Sequence, residues 1–288
     1  MAGELDFDST SRTTTYNGLN LQYHDAGSGD DVLIMLHGAG PGVSGWSNFG
    51  GNLAHYARHF RTIIVDMPGF GRSAHPAEYD RSYLRYAADA VVSLMDELGI
   101  ASAHVLGNSL GGSVAARLVL AYPDRVKRLV LMGPGSALSI GLFAPRPSEG
   151  IRRLMEFQTA PEKTREKMEA FLRSMVFDQS LVTEALIEER FATATDPATA
   201  GGLKAMQVAN QRYPNEGELW REAEQIKHEV LITWGREDRV QPLDGAFVGF
   251  RLLENARLHV FPKCGHWAMI EQREEFQRLT TDFFQHHA

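Results

Sequence analysis

The chain has 288 residues, 43% hydrophobic and 23% charged, with a formal net charge of −7. That length suits one large domain or a domain carrying an insertion rather than two unrelated full domains, and the composition excludes a disordered or fibrous protein. The acidic balance lacks the clustered Lys and Arg that displace counterions from nucleic acid, and the apolar runs, such as Val32–Leu36, fall far short of the ~20 residues that span a bilayer, so neither nucleic acid nor membrane is expected as a partner.

The start, Met1-Ala2-Gly3-Glu4-Leu5-Asp6, is acidic and without the basic head and apolar stretch of a secretory signal. With Cys264 the single cysteine, no internal disulfide can form, and a cytoplasmic protein is the expectation. Arg12 to Tyr16 and Leu19 to Asp25 read as an antiparallel strand pair, followed by the turn Gly27-Ser28-Gly29-Asp30 and the apolar strand Val32–Leu36. Strands and helices then alternate: Thr62 to Val65 a strand, Ser82 to Leu98 a helix, His104 to Leu106 a strand, Ser109 to Ala121 a helix, Leu129 to Met132 a strand. Such alternation calls for a parallel sheet with helices on both faces.

After Met132 the pattern changes. Gly133-Pro134-Gly135 and Pro145-Arg146-Pro147 break regular structure, and helical spacing follows in Ile151, Leu154, Met155 and Phe157, in Met168, Phe171, Leu172, Met175 and Val176, and in Leu181, Leu186 and Phe191. Residues 137–213 are read as an inserted helical cap, between a first core part at 1–136 and a second at 214–288. In that second part Val230 to Trp234 and Leu258 to Phe261 are strands, Leu243 to Leu253 a helix, and a last helix starts at Glu271. The fold class is α/β, with a mostly parallel eight-stranded sheet. No internal repeat is present, and His286-His287 is too short for a metal tract.

Gly107-Asn108-Ser109-Leu110-Gly111 lies between a strand and a helix, where a tight turn lifts a serine hydroxyl above the sheet and crowds the residues two positions away, so small flanks are needed. An N-cap serine is the plainer reading of the same string. A nucleophilic serine needs a base, and in the α/β-hydrolase fold an acid and then a histidine follow it in the chain. Of His228, His259, His266, His286 and His287, the one on a short loop past a strand's carboxyl end is His266. The acid is Asp238, after the strand ending at Trp234; Glu237 reads as a solvated neighbour of Arg236 or Arg239, and Asp244 as a helix starter. Backbone donors for a developing oxyanion are expected from Leu110 and from Ala39 or Gly40 in His37-Gly38-Ala39-Gly40-Pro41-Gly42.

Other readings compete. Gly40-Pro41-Gly42-Val43-Ser44-Gly45 is formally G-x-G-x-x-G with Asp66 about 20 residues on, a dinucleotide-binding spacing. It leaves Ser109, Asp238 and His266 unexplained and puts a proline in the phosphate turn, so no cofactor is expected. A non-catalytic binding protein on this fold would not need all three residues. Cys264 as a nucleophile lies too close in the chain to His266 for the two to face each other, and Asp66 reads as a turn-former without chemistry.

The chain resembles the meta-cleavage product hydrolases, the carbon–carbon bond hydrolases of bacterial aromatic and steroid-ring degradation. The likeness runs nearly end to end and rests on His37–Gly42 with Trp46-Ser47-Asn48, on Gly107-Asn108-Ser109-Leu110-Gly111-Gly112, on Leu131-Met132-Gly133-Pro134-Gly135 and on Cys264-Gly265-His266-Trp267. It implies cleavage of the C5–C6 bond of a 2-hydroxy-6-oxohexa-2,4-dienoate to 2-hydroxypenta-2,4-dienoate and a carboxylic acid, by enol–keto tautomerisation and then serine attack. It also implies substrate contacts at Gly38, Asn48, Asn108, Arg190 and Trp267, with Met175 and Val240 where some members carry aromatic residues, and a homo-oligomer. Without the resemblance Arg190 reads as a solvated helix charge, and Asn48 fits a turn as well as a pocket wall. Ala39 departs from a frequent glycine. Ser9-Thr10-Ser11-Arg12, Phe143-Ala144-Pro145 and Gly235–Arg239 look closer to the biphenyl and steroid branches, which implies a bulky C6 substituent. A carboxylesterase of the same fold is the nearest alternative.

Overall fold

The computed structural model describes the chain apart from residues 1–4, 136, 137, 198, 200, 287 and 288. Residues 1–4 of the acidic opening segment, the boundary between 136 and 137, and His287 therefore lie outside the described residues. Eight strands form one sheet: β1 (Ser11–Tyr16), β2 (Leu19–Ala26), β3 (Val32–Leu36), β4 (Arg61–Val65), β5 (Ala103–Asn108), β6 (Val126–Met132), β7 (Val230–Gly235) and β8 (Ala256–Phe261). Their order is β1-β2-β4-β3-β5-β6-β7-β8. β2 runs antiparallel to both its neighbours, and every pair from β4 to β8 is parallel.

Continuous burial marks the middle strands, because helices cover both faces of a parallel sheet. β3, β5 and β7 are buried along their whole length. Alternate side chains feed two cores: Val32, Ile34 and Leu36 face one with Ile63 and Val65, while Leu33 and Met35 face the other with Ile64. The first core is completed by α3 (Tyr83–Glu97) and α4 (Leu110–Ala121), the second by α2 (Gly45–Tyr56) and α11 (Arg273–Gln285). A short α1 (Phe7–Thr10) precedes β1. Between β6 and β7 lie α5 (Glu149–Gln158), α6 (Arg165–Met175), α7 (Glu184–Thr195) and α8 (Gly202–Arg212); α9 (Ala246–Leu252) links β7 to β8, and α10 (Ala268–Glu271) precedes α11.

Three elements depart from the sequence reading. α2 carries no obvious helical signal, since Gly45, Gly50 and Gly51 weaken its propensity. It is held by a capping box between Ser44 and Ser47 and by a buried stripe of Phe49, Asn52, Leu53 and Tyr56. The expected helix from Leu243 opens as a 3-10 turn at Leu243–Gly245. The last helix starts at Arg273 rather than Glu271, because Gln272 (φ −122°, ψ 41°) leaves helical geometry and separates α10 from α11.

The chain places β4 on one side of β3 and β5 on the other, so the loops leaving β3 and β5 diverge at the sheet's carboxyl edge. The inserted helices are fastened over that edge. Ser148 donates to the Val240 carbonyl at 2.7 Å, Gly150 N–H to Arg239 O at 2.9 Å, and the Arg239 guanidinium to the carbonyls of Arg173 and, at 3.0 Å, Val176.

Three core histidines set an acid limit on this fold. His24 sits between Phe7 and Trp46, His37 lies beneath the β3 loop, and His104 packs on Phe284. Burial drives each from the ordinary 6.5 to about 4, so each is held neutral. A depressed histidine contributes stability that is complete above its unfolded value and lost as pH falls through the folded one. Urea unfolding is therefore expected to show stability level above pH 6.5 and falling between 6.5 and about 4; a flat profile across that window contradicts it.

Candidate active site

Ser109 joins β5 to α4 with φ 50° and ψ −111°, a strained conformation for a residue with a side chain. The turn survives because its flanks are empty. A Cβ on Gly111 would stand 2.0 Å from the Leu36 carbonyl oxygen, and one on Gly107 2.3 Å from that of Gly111. The backbone of Ser109 is pinned on both sides: its N–H donates to Met132 O at 2.9 Å, and its carbonyl accepts from Ser113 and Gly135 N–H at 3.1 and 2.9 Å. Although Ser109 occupies the N-cap position of α4, its side chain makes no capping hydrogen bond, which removes the plain N-cap reading. The residue is half-buried, with a side chain free for other work.

Asp238 and His266 leave the ends of β7 and β8. The His266 Nδ1 and Asp238 Oδ2 are 2.6 Å apart, with both side chains almost wholly buried. The other carboxylate oxygen accepts from the N–H groups of Val240 and Gln241, each at 2.8 Å, so Asp238 is fixed before it meets the ring. The carboxylate thereby orients the imidazole with Nδ1 protonated, which leaves Nε2 with a lone pair able to accept a proton. Gly133, just past the end of β6 beside β7, has φ +46°, and a Cβ there would come within 3.2 Å of His266 Cε1 and 3.4 Å of Asp238 Oδ2. It is the floor on which the pair rests.

The loop after β3 lies against the serine turn. A Cβ on Gly38 would meet Asn108 Oδ1 at 2.7 Å and Ser109 Cβ at 3.4 Å. Asn48, buried on α2, accepts the Gly38 N–H at 2.8 Å, and Asn108 donates to Met132 O at 3.4 Å. Under the loop His37 Nε2 accepts the Met67 N–H at 3.0 Å, which leaves Nδ1–H to donate to Gly38 O at 2.7 Å. Leu110 opens α4, where the first N–H groups have no intrahelical acceptor. Among the described residues, the N–H groups of Ala39, Gly40 and Leu110 have no protein acceptor, and Ala39 and Leu110 are half-buried. Donors of this kind beside an elbow serine can receive a developing oxyanion.

Arg190 is not a solvated helix charge. It is 3% exposed, its Nε donates to Pro41 O at 2.9 Å, and its guanidinium stands 5.9 Å from the Trp267 ring centroid. Gly40 packs against it and against Phe171, since a Cβ there would meet Arg190 Nη2 at 3.3 Å and Phe171 Cζ at 3.5 Å. Burial lowers Arg190 to about 10, still charged at neutral pH. Arg117 and Arg128 are buried too, but pair with Glu222 and Glu229. Arg190 has no carboxylate within ion-pair distance among the described residues. A buried, unpaired cation is costly unless an anion comes to it.

The remaining positions divide. Trp267 and Met175 are buried, and the Met175 carbonyl accepts the His266 N–H at 2.7 Å, binding α6 to the histidine loop. Val240 borders a cavity of about 250 Å³ with Ile151, Ser139 and Arg146. Glu237 is not simply solvated: it pairs with Arg236 and accepts the Cys264 N–H at 3.0 Å. Asp244 does more than start a helix, since one oxygen accepts the N–H groups of Leu142, Phe143 and Ala144 at 2.6, 2.6 and 3.1 Å. Cys264 is buried and its thiol pushed well up, which makes it a poor nucleophile. Glu271, invisible in the sequence, accepts from Gly265, Phe177 and Asp178 N–H at 2.6, 2.6 and 3.0 Å.

Asp66 decides against the dinucleotide reading. Its carboxylate, buried to 1% exposure, accepts the N–H of Gly45, first residue of α2, at 2.6 Å, and that of Arg72 at 2.8 Å. The helix terminus where a pyrophosphate would sit is thus filled by the chain's own carboxylate. Burial raises Asp66 to about 6. Among the described residues no group of three or more His, Cys, Asp or Glu could hold a metal ion.

A family model described as α/β hydrolase fold matches residues 31–272. A 2-hydroxy-6-oxo-6-phenylhexa-2,4-dienoate hydrolase of Burkholderia cepacia is 41% identical over 97% of this chain and 98% of its own. A 2-hydroxy-6-oxononadienedioate/2-hydroxy-6-oxononatrienedioate hydrolase of Comamonas testosteroni is 40% identical, covering 97% and 98%. Among solved structures, a meta-cleavage product hydrolase from Pseudomonas fluorescens IP01 superposes with a TM-score of 0.82 at 32% identity, over 96% of this chain and 97% of that one.

The His266–Asp238 geometry gives a direct test. Asp238→Asn keeps the shape but presents an amide to Nδ1, favouring the wrong tautomer, and is expected to lower ester hydrolysis by roughly three to four orders of magnitude. Turnover within tenfold of the parent would show that this pair does not set the rate.

Proposed function

This chain belongs to the α/β-hydrolase family and, within it, to the meta-cleavage product hydrolases, and we propose that it uses Ser109, His266 and Asp238 to split the C5–C6 bond of a 2-hydroxy-6-oxohexa-2,4-dienoate. The chemical difficulty is to make carbon a leaving group. The dienol first loses its 2-hydroxyl proton and gains one at C5, with His266 as the shuttle, so that the departing C5 later leaves as a stabilised dienolate. Ser109 then attacks the C6 carbonyl as His266 takes its proton, and the oxyanion is met by Leu110 N–H and an N–H of Ala39 or Gly40. Cleavage expels the dienolate, which takes the proton held by His266 to become 2-hydroxypenta-2,4-dienoate, and water activated by the neutral His266 then frees the carboxylic acid.

Arg190 carries the assignment: a buried guanidinium without a carboxylate partner, held on the β3 loop, suits the dienoate carboxylate, and Trp267 and Asn108 flank the 2-oxo end. Gly38 and Asn48 hold the loop that closes this end. Helices α5 to α8, between β6 and β7, act as the cap that keeps bulk water from the reacting carbons. Met175 and Val240 bound the C6 side, and the cavity beside Val240 supports a bulky substituent. The reading includes a cytoplasmic homo-oligomer. Exposed Leu142 and Phe143, tied to Asp244, neighbour the exposed Phe247 and Phe250 and offer an apolar contact face. No helix among the described residues is long and apolar enough to cross a membrane.

Two variants test the roles. Ser109→Ala should reduce consumption of the coloured dienoate by about 10³-fold or more while the substrate still binds; unchanged decay of the colour removes Ser109 from the mechanism. Arg190→Gln should lower kcat/KM for the dienoate by about 10²-fold, the cost of unpairing a buried charge, and barely touch a p-nitrophenyl ester. Equal losses on both substrates would instead favour a carboxylesterase.

A further inference from the structure

Arg190 packs on the loop Gly40–Gly42, and that loop also borders a cavity lined by lysines without carboxylates. This cavity, of about 380 Å³, opens between the inserted helices and the loops after β3 and β4. Gly40, Pro41 and Gly42 form one wall, the loop Gly40–Gly42 being the one whose inner face Arg190 packs on. Thr193 and Ala194, one turn beyond Arg190 on α7, form another. Phe70 and Phe157 supply apolar surface, and Lys163 and Lys204 reach in from the segments before α6 and within α8. In a chain with 36 acidic residues and a net charge of −7, none of the described residues lining this cavity is Asp or Glu. Lys127 and Lys227 are committed to Asp31 and Glu254, whereas neither Lys163 nor Lys204 has an ion-pair partner among the described residues. The one aromatic contact of Lys163 is with the Phe157 ring, 5.8 Å away.

We propose that this cavity is an anion-collecting vestibule, in which Lys163 and Lys204 draw a carboxylate-bearing polyene toward Arg190 past apolar walls. The proposal rests on the dienoate reading given above. A concave surface with cationic rims and low-dielectric walls concentrates field lines, raising the local concentration and encounter rate of anions although the protein as a whole repels them. Partnered lysines would lose that reach, because a neighbouring carboxylate cancels the field beyond a few ångströms. Lys163 and Lys204 stay outside the bond-breaking steps, so their effect belongs in kcat/KM.

The experiment compares the full-length parent with Lys163→Gln/Lys204→Gln and the charge-keeping Lys163→Arg/Lys204→Arg. The probes are 2-hydroxy-6-oxo-6-phenylhexa-2,4-dienoate and neutral p-nitrophenyl acetate, at ionic strengths of about 0.01 M and about 0.5 M, where the screening length falls from roughly 30 Å to a few ångströms. At low salt the glutamine variant is expected to lose about five- to tenfold in kcat/KM for the dienoate, with kcat held, the arginine variant close to the parent, and the ester unmoved. At high salt parent and variant converge. Equal dienoate kcat/KM at low salt, or parallel losses on dienoate and ester, overturns the vestibule alone. A parent chain that does not consume the dienoate overturns the functional reading and the vestibule with it.

Discussion

No side chain fits between the turn that carries Ser109 and the end of β3. A Cβ at Gly111 would lie 2.0 Å from the Leu36 carbonyl oxygen, and much of the local architecture answers to that contact. It brings the β3 loop against the serine, so that a Cβ on Gly38 would lie 3.4 Å from Ser109 Cβ. It also needs β5 to sit directly beside β3, which the sheet provides by placing β4 on β3's far edge. Backbone strain at Ser109 persists because three backbone hydrogen bonds, to Met132, Ser113 and Gly135, over-determine it.

Around this contact the charges are arranged by burial rather than by number. Asp238 is committed on both oxygens, one to backbone donors and the other to His266, so the carboxylate has no freedom to turn away. Asp66 plays a purely architectural part, with each oxygen closing a different loop. Arg190 is the exception, held by a single carbonyl and an aromatic neighbour with its charge unanswered. The other buried guanidiniums, Arg117 and Arg128, are paired with carboxylates, so the unanswered charge of Arg190 points to a ligand.

Much of this was legible because the relevant signals are local. The apolar runs of β3 and β7 and the glycine-flanked serine can be read directly, and chain order singles out Asp238 and His266. What escaped was what depends on distant partners. α2 has three glycines and is stable through a capping box and packing on α11, which the string of residues does not display. Arg190 looks like any helix charge until Pro41, Gly40 and Trp267 close around it, and only the family likeness spoke for it beforehand. Gly133 enters only within the family motif, since the absence of a Cβ beside His266 is not visible in a string of residues, and Glu271 reads only as a helix start, because its hydrogen-bond donors lie 6 and more than 90 residues away.

The hydrogen bond from the His266 backbone to the Met175 carbonyl bears on how such a protein can be recombined. The inserted helices look like a detachable module, entered and left between two neighbouring strands. Yet the end of α6 holds the main chain of His266, and Glu271 clasps both Gly265 and the residues just after α6. A graft that exchanged the insertion for that of a relative would transplant part of the mounting of His266 along with the helices. Modularity here is bounded by that seam, so single side-chain changes disturb the His266 loop less than a swap of the whole segment.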